Sequence, residues 1–551
     1  MDNTRGQKVR IAYDDKNRVS SIINKVGEHQ VKTGFVYGDA ESGQLPGLLY
    51  KLRADGTNRS ILSYDSMARL QSRLLSGTGN YYRTSYTYVP GEKEWMTTTL
   101  VECLNNNGTP LYYTYDARGN IETIREGSSR TLKATYYYDG LNRLIREDNK
   151  WDNKTVCYTY NAGGNMLTRK EYAYTTGTLG TVNKTTTYTY GNTVWKDQLT
   201  RISVSDGTSS TIGNYDSLGN PRTYRGMSMD WKNGRELASV TKGGYTYQFA
   251  YDSDGNRISK KKTYNQTVLS STEYYLNGST ILGINKDGQE VLFVYDQDGK
   301  PFAMKVIEGT DAQYYYYIYN VQGDVIGLVD KSGTQVVTYI YDSWGKLLPD
   351  STTSTLASMN PFRYRGYCYD EETGFYYVSS RYYDPEIGRW INADIPETLT
   401  ADFENFAQYN LFAYCFNNPV NLSDETGAWP SWATKLAIGV GAIVIGAAVV
   451  AATAATGGAA AAFVGAAFAG LKSAAVSGAI GAAVGAGISA VSHRVSTGSW
   501  SGAGKAAIDG AVDGFASGFM TGGIMAGGSQ ILSSGFKVAA NAGVPTGRNG
   551  D

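Results

Sequence analysis

A chain of 551 residues exceeds what one compact core usually holds, so several domains or one extended array of repeats is expected. Its 51 Lys and Arg balance 51 Asp and Glu, which removes any whole-chain field for nucleic acid or anionic membrane. The two histidines, His29 and His493, stand in no ligand or triad setting, which argues against a His-based metal nuclease or a Ser-His-Asp hydrolase.

The opening residues MDNTRGQKVRIAYDD lack the apolar core of a secretory signal. They pass at once into a repeat with no cap or export module, so the expectation is an open end or a separately encoded upstream piece. From there one phrase recurs: IAYDDKNRVSSI, YYTYDARGNIETIR, YYYDGLNRLIRE, CYTYNAGGNMLTRK, QFAYDSDGNRISKK and TYIYDSWGKLLPD. Aromatics at alternate positions, Tyr113 with Tyr115 or Tyr158 with Tyr160, point to one face of a strand. An Asp or Asn follows the last Tyr, and three residues later comes Gly119, Gly164, Gly219, Gly255, Gly299, Gly323 or Gly345, with Asn17 and Asn142 replacing it in two copies.

This is hairpin chemistry. The acid or amide bonds the turn backbone, Gly or Asn takes a positive φ, and an apolar residue such as Ile121, Leu144 or Met166 starts the return strand. Where copies abut, their turns are 22 to 24 residues apart, from Asp116 to Asp139 to Asn161 and from Asp296 to Asn320 to Asp342. Such a period means a stacked array. No clustered DxDxDG loop occurs, so the turn Asp residues read as turn chemistry and not as metal ligands. Abundant Gly (65) and Tyr (45) with only 12 Pro fit this state. Cys103, Cys157, Cys368 and Cys415 form no CxxC pair and read as small apolar or free residues.

The pattern resembles the YD repeat of the Rhs family over about residues 8–390. That family includes bacterial polymorphic toxins, wall-associated Rhs proteins, the C component of insecticidal toxin complexes and animal teneurins. The resemblance implies a mainly β fold, with hairpins stacked in a spiralling sheet that closes into a shell around a C-terminal cargo. The Tyr stripes then read either as packing between strands, the preferred reading, or as an inner wall tolerant of cargo.

From 361 the text changes to PFRYRGYCYDEETGFYYVSSRYYDPEIGRWINADIPETL, and later to QYNLFAYCFNNPVNLSDETGAWP. Arg381, Tyr382, Tyr383, Asp384, Pro385, Gly388, Arg389 and Trp390 match the first motif of the Rhs-repeat-associated core domain. Asn410, Phe412, Tyr414, Asn417, Asn418 and Pro419 match the second, with Phe for one Tyr. In many members the core is a self-cleaving protease using two aspartates, which by motif position fall on Asp394 and Asp424. Two close carboxylates resist joint ionisation, so one holds a proton as acid while the other activates water. The bond implied follows Ala428, before Trp429. Arg389 is a secondary candidate, to pair with an aspartate, orient the substrate carbonyl or stabilise a turn. Asp384 and Asp402 are rival carboxylates. Three departures weigh against cleavage: Ile395 separates Asp394 from Pro396, the Gly pair that often precedes the Asn is absent, and the last motif reads DETGA, with Ala for Leu. The alternative is an inert plug whose aspartates cap turns.

Beyond Pro430 composition shifts. Between Lys435 and Lys472 lie 36 residues without a charge, enough to span a bilayer, and Gly457-Gly458 would divide them into two helices. This Gly/Ala-rich stretch reads as a membrane-inserting delivery hairpin over 436–492, as a linker stowed in the shell, or as a membrane-active effector. The tail shows no cluster of acids, bases or ligands that would mark a toxin, suggesting a truncated gene or a lost payload.

The expected organisation is a β-shell over 1–360, a core plug over 361–428, a mostly α-helical hydrophobic segment over 429–495 and a variable tail over 496–551. The expected function is the C-terminal part of an Rhs-type polymorphic toxin, secreted or at a bacterial cell surface, that encapsulates and by self-cleavage releases its own C-terminal segment. An immunity protein or secretion machinery would be its partners, with no nucleic acid, metal or cofactor. The alternatives are a surface structural or adhesive protein with an inert core and a membrane-active effector in the C-terminal segment.

Overall fold

Each repeat closes through the same local chemistry, well illustrated between strands Thr109–Tyr115 and Ile121–Glu126. Asp116 N–H donates to the Asn120 carbonyl and Gly119 N–H to the Asp116 carbonyl, both at 2.9 Å. The Asp116 carboxylate accepts the N–H groups of Arg118 and Asn120 at 2.8 Å each. Gly119 has φ +76°, and the other glycines at this position, from Gly164 to Gly345, fall between +77° and +87°. Asn17 and Asn142 take the same left-handed region at +57° and +69°. This is a type I turn completed by a left-handed residue, the three-to-five-residue hairpin whose bulge strengthens strand twist. The register shift falls beside the Tyr that precedes the turn, at Tyr138, Tyr160 and Tyr251 among others.

That Tyr reaches back one repeat. Tyr115 donates its hydroxyl to the Val101 carbonyl at 2.8 Å, Tyr138 to Ile121 at 2.8 Å, Tyr160 to Leu144 at 2.6 Å and Tyr341 to Val325 at 2.7 Å. Each acceptor lies in the preceding return strand, so each of these turns is tied to the one before it. Where the turn ends in Arg the tie is doubled: Arg143 bonds the Asp139 carboxylate at 2.7 Å and stacks over Tyr160 of the next repeat.

The computed structural model describes residues 7–39, 44–75, 82–91, 97–395, 410–424 and 426–427. Its strands pair antiparallel, in sequence order, in three sheets. Seventeen strands run from Lys8–Tyr13 to Ser209–Thr211, twelve from Thr223–Tyr224 to Gln335–Thr338, and four from Cys368–Asp370 to Arg389–Trp390. The fold is therefore mainly β. The segment expected to be mostly helical, with its 436–492 membrane reading, lies outside the described residues. Among the described residues no helix is long and apolar enough to cross a membrane.

Apolar faces meet in several places. Val31, Phe35 and Leu52 of the first sheet pack with Leu292, Phe302 and Tyr316 of the second. Further along, Tyr113, Tyr136 and Tyr158 join Trp344, Tyr364, Tyr383, Trp390 and Tyr414 in one buried cluster. These Tyr residues are thus packed against the small third sheet and its flanking turns. All four cysteines are free.

Candidate functional site

The third sheet is tied to the second by charge. Arg257, on strand Arg257–Tyr264, grips Asp370 through two nitrogens at 2.6 and 3.1 Å, and Lys260 bonds Asp370 at 3.1 Å and Glu372 at 2.8 Å. A bidentate Arg–carboxylate pair of this kind is directional and strong when desolvated. It seats strand Cys368–Asp370, on which Phe375–Val378 and Arg381–Asp384 build by hairpins.

On strand Arg381–Asp384 alternation sends Arg381 and Tyr383 one way, Tyr382 and Asp384 the other. Arg381 is 2% exposed, and its guanidinium lies over Trp390, 4.1 Å from the ring centroid. One nitrogen, Nη2, stands 2.9 Å from Asp394 Oδ2 and 3.1 Å from Asp424 Oδ2. Nη1 donates to the Leu411 carbonyl at 3.2 Å, and Nε donates to the Gly427 carbonyl. The two motif aspartates and the chain just before Ala428 are therefore gathered on one guanidinium.

Backbone bonds hold both acids in place. Asp394 N–H donates to the Leu411 carbonyl at 2.9 Å, and Asp394 Oδ1 accepts Ile395 N–H at 2.7 Å. Asp424 N–H donates to the Tyr367 hydroxyl at 2.7 Å, and its Oδ1 accepts Gly427 N–H at 2.9 Å. Asp424 thus caps a turn with Oδ1, Asp394 bonds the adjacent backbone N–H with its Oδ1, and both turn Oδ2 to Arg381. Burial pushes the Asp394 carboxyl up to about 6, Arg381 and the Ile395 N–H pulling against it and Asp424 adding to the rise. Arg235, which donates to the Asp394 carbonyl, also opposes the rise.

The other candidates lie elsewhere. The pairing expected of Arg389 with an aspartate is corrected: its Nη1 bonds Asn165 Oδ1 at 3.1 Å, its Nη2 donates to the Asp197 carbonyl, and its guanidinium stacks on Phe412. The reason is register. Arg389 pairs with Asp384 across the hairpin, which turns it toward the wall, and Asp384 is itself bound to Arg225 at 2.8 Å and to the Tyr224 hydroxyl at 3.1 Å. Arg381, matched only as a motif letter by the sequence reading, takes the central place. Asp402, Ala428 and Trp429 lie outside the described residues.

The family profile described as Teneurin YD-shell matches residues 279–420. The tRNA3(Ser)-specific nuclease WapA of Bacillus spizizenii is 32% identical over 379 residues, 68% of this chain and 15% of that protein. The double-stranded DNA deaminase toxin A of Burkholderia cenocepacia is 26% identical over 400 residues, 67% of this chain and 25% of that protein. Among solved structures, TcdB2-TccC3-TEV superposes with a TM-score of 0.58 at 21% identity, over 77% of this chain and 22% of that one. The repeat region is a YD-shell of the Rhs type. The chain spans only a small part of these relatives.

Asparagines of residues 410–421 bond the turns of the YD-shell. Asn410 Nδ2 donates to the Gly163 carbonyl and to Asn165 Oδ1, both at 2.9 Å, and Asn417 Nδ2 to the Gly164 carbonyl at 2.8 Å. Asn418 reaches Asn120 at 3.2 Å, and Asn421 accepts Ile121 N–H at 2.7 Å while donating to the Tyr138 hydroxyl at 2.8 Å. These side chains bond groups of the repeat turns around Asn120 and Asn165. Presenting them requires three successive left-handed residues, Cys415, Phe416 and Asn417, at φ +48°, +52° and +62°. Such strain persists only where surrounding bonds over-determine it. The motif NNP was legible in the sequence, but not that its asparagines dock the plug.

Proposed function

We propose that the chain is part of an Rhs-type polymorphic toxin whose plug cuts itself and frees the segment beyond it. The gathering of Asp394, Asp424 and the Gly427 carbonyl on Arg381 carries this reading. Asp424, ionised, takes a proton from water as its oxygen adds to the Ala428 carbonyl carbon. Asp394, protonated, gives its proton to the Trp429 nitrogen as the C–N bond breaks, so one water is consumed and two termini form. Neither step needs a histidine, a metal or a cofactor. The names of the curated relatives, a nuclease and a deaminase toxin, support a cargo role for the segment after 428.

In this reading residues 1–360 form the shell, 361–428 the cutting plug, 429–495 a delivery segment able to enter membrane, and 496–551 the variable end. The protein acts outside its own cell, and an immunity protein or secretion machinery meets it there. Intact masses of the full chain beside Asp394→Asn and Asp424→Asn test this: a break after Ala428 in the wild type alone is expected, and a folded, uncut wild type overturns it. A second reading, an inert plug in a surface protein, draws support from the turn-capping by Asp424 Oδ1.

A further inference from the structure

The hairpin between strands Phe375–Val378 and Arg381–Asp384 is closed by only two residues, Ser379 and Ser380, since Val378 pairs with Arg381. Ser379 takes φ +48°, a strained state for a non-glycine residue. The turn lies against the chain leaving the plug. Ser380 Oγ stands 2.9 Å from the Thr426 carbonyl oxygen and 2.8 Å from that of Gly427. The Gly427 carbonyl also accepts Arg381 Nε, so two side chains converge on it. On the other side, a methyl group at Gly427 would lie 2.2 Å from the Val378 carbonyl oxygen and 3.0 Å from Ser380 Oγ, while Gly427 itself has φ +68°. A backbone oxygen cannot swing aside as a side chain can.

We propose that the Ser379–Ser380 turn is the clamp of the exit strand, with Ser380 as a positioning residue and Val378 restricting position 427 to glycine. This rests on the self-cleavage reading. The single Ser380 hydroxyl proton is shared between two successive carbonyls, and Arg381 couples the second of them to the guanidinium that carries Asp394 and Asp424. The register of Thr426 and Gly427 against the carboxylates is thereby set. A reacting carbonyl misplaced by a fraction of its length loses rate steeply, on the order of a hundred-fold per ångström.

The test is the self-cleavage rate of the full chain made by cell-free synthesis, quenched in denaturant at intervals and read by intact mass. Ser380→Ala is expected to slow cleavage by about ten- to a hundred-fold. Ser380→Thr, which keeps the hydroxyl, is expected to restore the wild-type rate and the same cut. Gly427→Ala is expected to abolish cleavage while the shell keeps its protease resistance. If Ser380→Ala cuts as fast as wild type, or Ser380→Thr is as slow as Ser380→Ala, the clamp is overturned while self-cleavage stands. A folded wild type that stays whole overturns the self-cleavage reading instead, and the clamp with it.

Discussion

Arg381 Nη2 lies 2.9 Å from Asp394 Oδ2 in a site where Arg381 is 2% and Asp394 7% exposed. Removing one partner of a buried ion pair costs about 3–5 kcal/mol, because the other charge is left without compensation. Arg381→Gln leaves two such carboxylates and loosens the Gly427 carbonyl as well. The expected outcome is loss of self-cleavage and a loss of several kcal/mol at pH 7 in urea unfolding. That loss should begin to shrink as pH falls through about 6, where Asp394 takes up its proton. A variant as stable as wild type at pH 7 would show that the guanidinium does not hold the pair.

Asp394 also sets a pH window. Its folded carboxyl titrates at about 6 against an ordinary aspartate value of 3.8, because burial disfavours the charge. The folded state therefore binds the proton more tightly than the unfolded one. Stability from this group is highest in acid, falls as pH rises from about 4 to about 6, and is then level, a total of up to ~3 kcal/mol. Cleavage should follow the same proton: with Asp394 as the acid, the rate declines above about pH 6. A cleavage rate that is flat from pH 5 to 8 would take the acid role from Asp394.

How much of this could be read from letters differs by element. The repeat turns were legible because positive φ selects Gly or Asn, as at Gly119 and Asn142, and because hairpins pair neighbours in sequence. The Tyr138 hydroxyl bond to Ile121 was not, since it spans two strands and a Phe would serve the packing equally well. Asp394 and Asp424 were picked by motif, but their guanidinium partner was not. Arg381 and Arg389 have the same chemistry, and only the Asp384–Arg389 register and the docking of Asn165 distinguish them. The bond at Ala428 and the Gly/Ala-rich segment fall where no geometry is described.

A second acid pair lies away from the cleavage site, at the last repeat turn. Glu147 accepts the Tyr158 hydroxyl at 2.5 Å and the Ser343 hydroxyl, and Asp342 Oδ2 stands 3.5 Å from Arg169 Nη2. Burial pushes Asp342 up to about 7, with Arg169 opposing, and burial also raises Glu147, its Ser343 and Tyr158 bonds opposing. Both shifts are upward, so both acids favour folding at low pH and cost stability as pH climbs from about 4 through 7. Unfolding free energy of the shell should fall across that range. Glu147→Gln should flatten the slope, because the group no longer ionises. An unchanged slope in this variant would assign the pH dependence to other groups.

Two turn glycines separate backbone strain from crowding. At Gly119 a methyl group would meet nothing within 4 Å, so Gly119→Ala is charged only for φ +76°, about 1–2 kcal/mol. At Gly219, φ +81°, the methyl would lie 2.8 Å from Ala393 Cβ and 2.9 Å from the Trp195 ring. Overpacking there adds about 1–3 kcal/mol, and it falls on the chain that carries Asp394, one residue past Ala393. Gly219→Ala should therefore unfold at lower denaturant than Gly119→Ala and slow self-cleavage, whereas Gly119→Ala should cut at the wild-type rate. Equal unfolding midpoints for the two variants would show that the plug does not press on this turn.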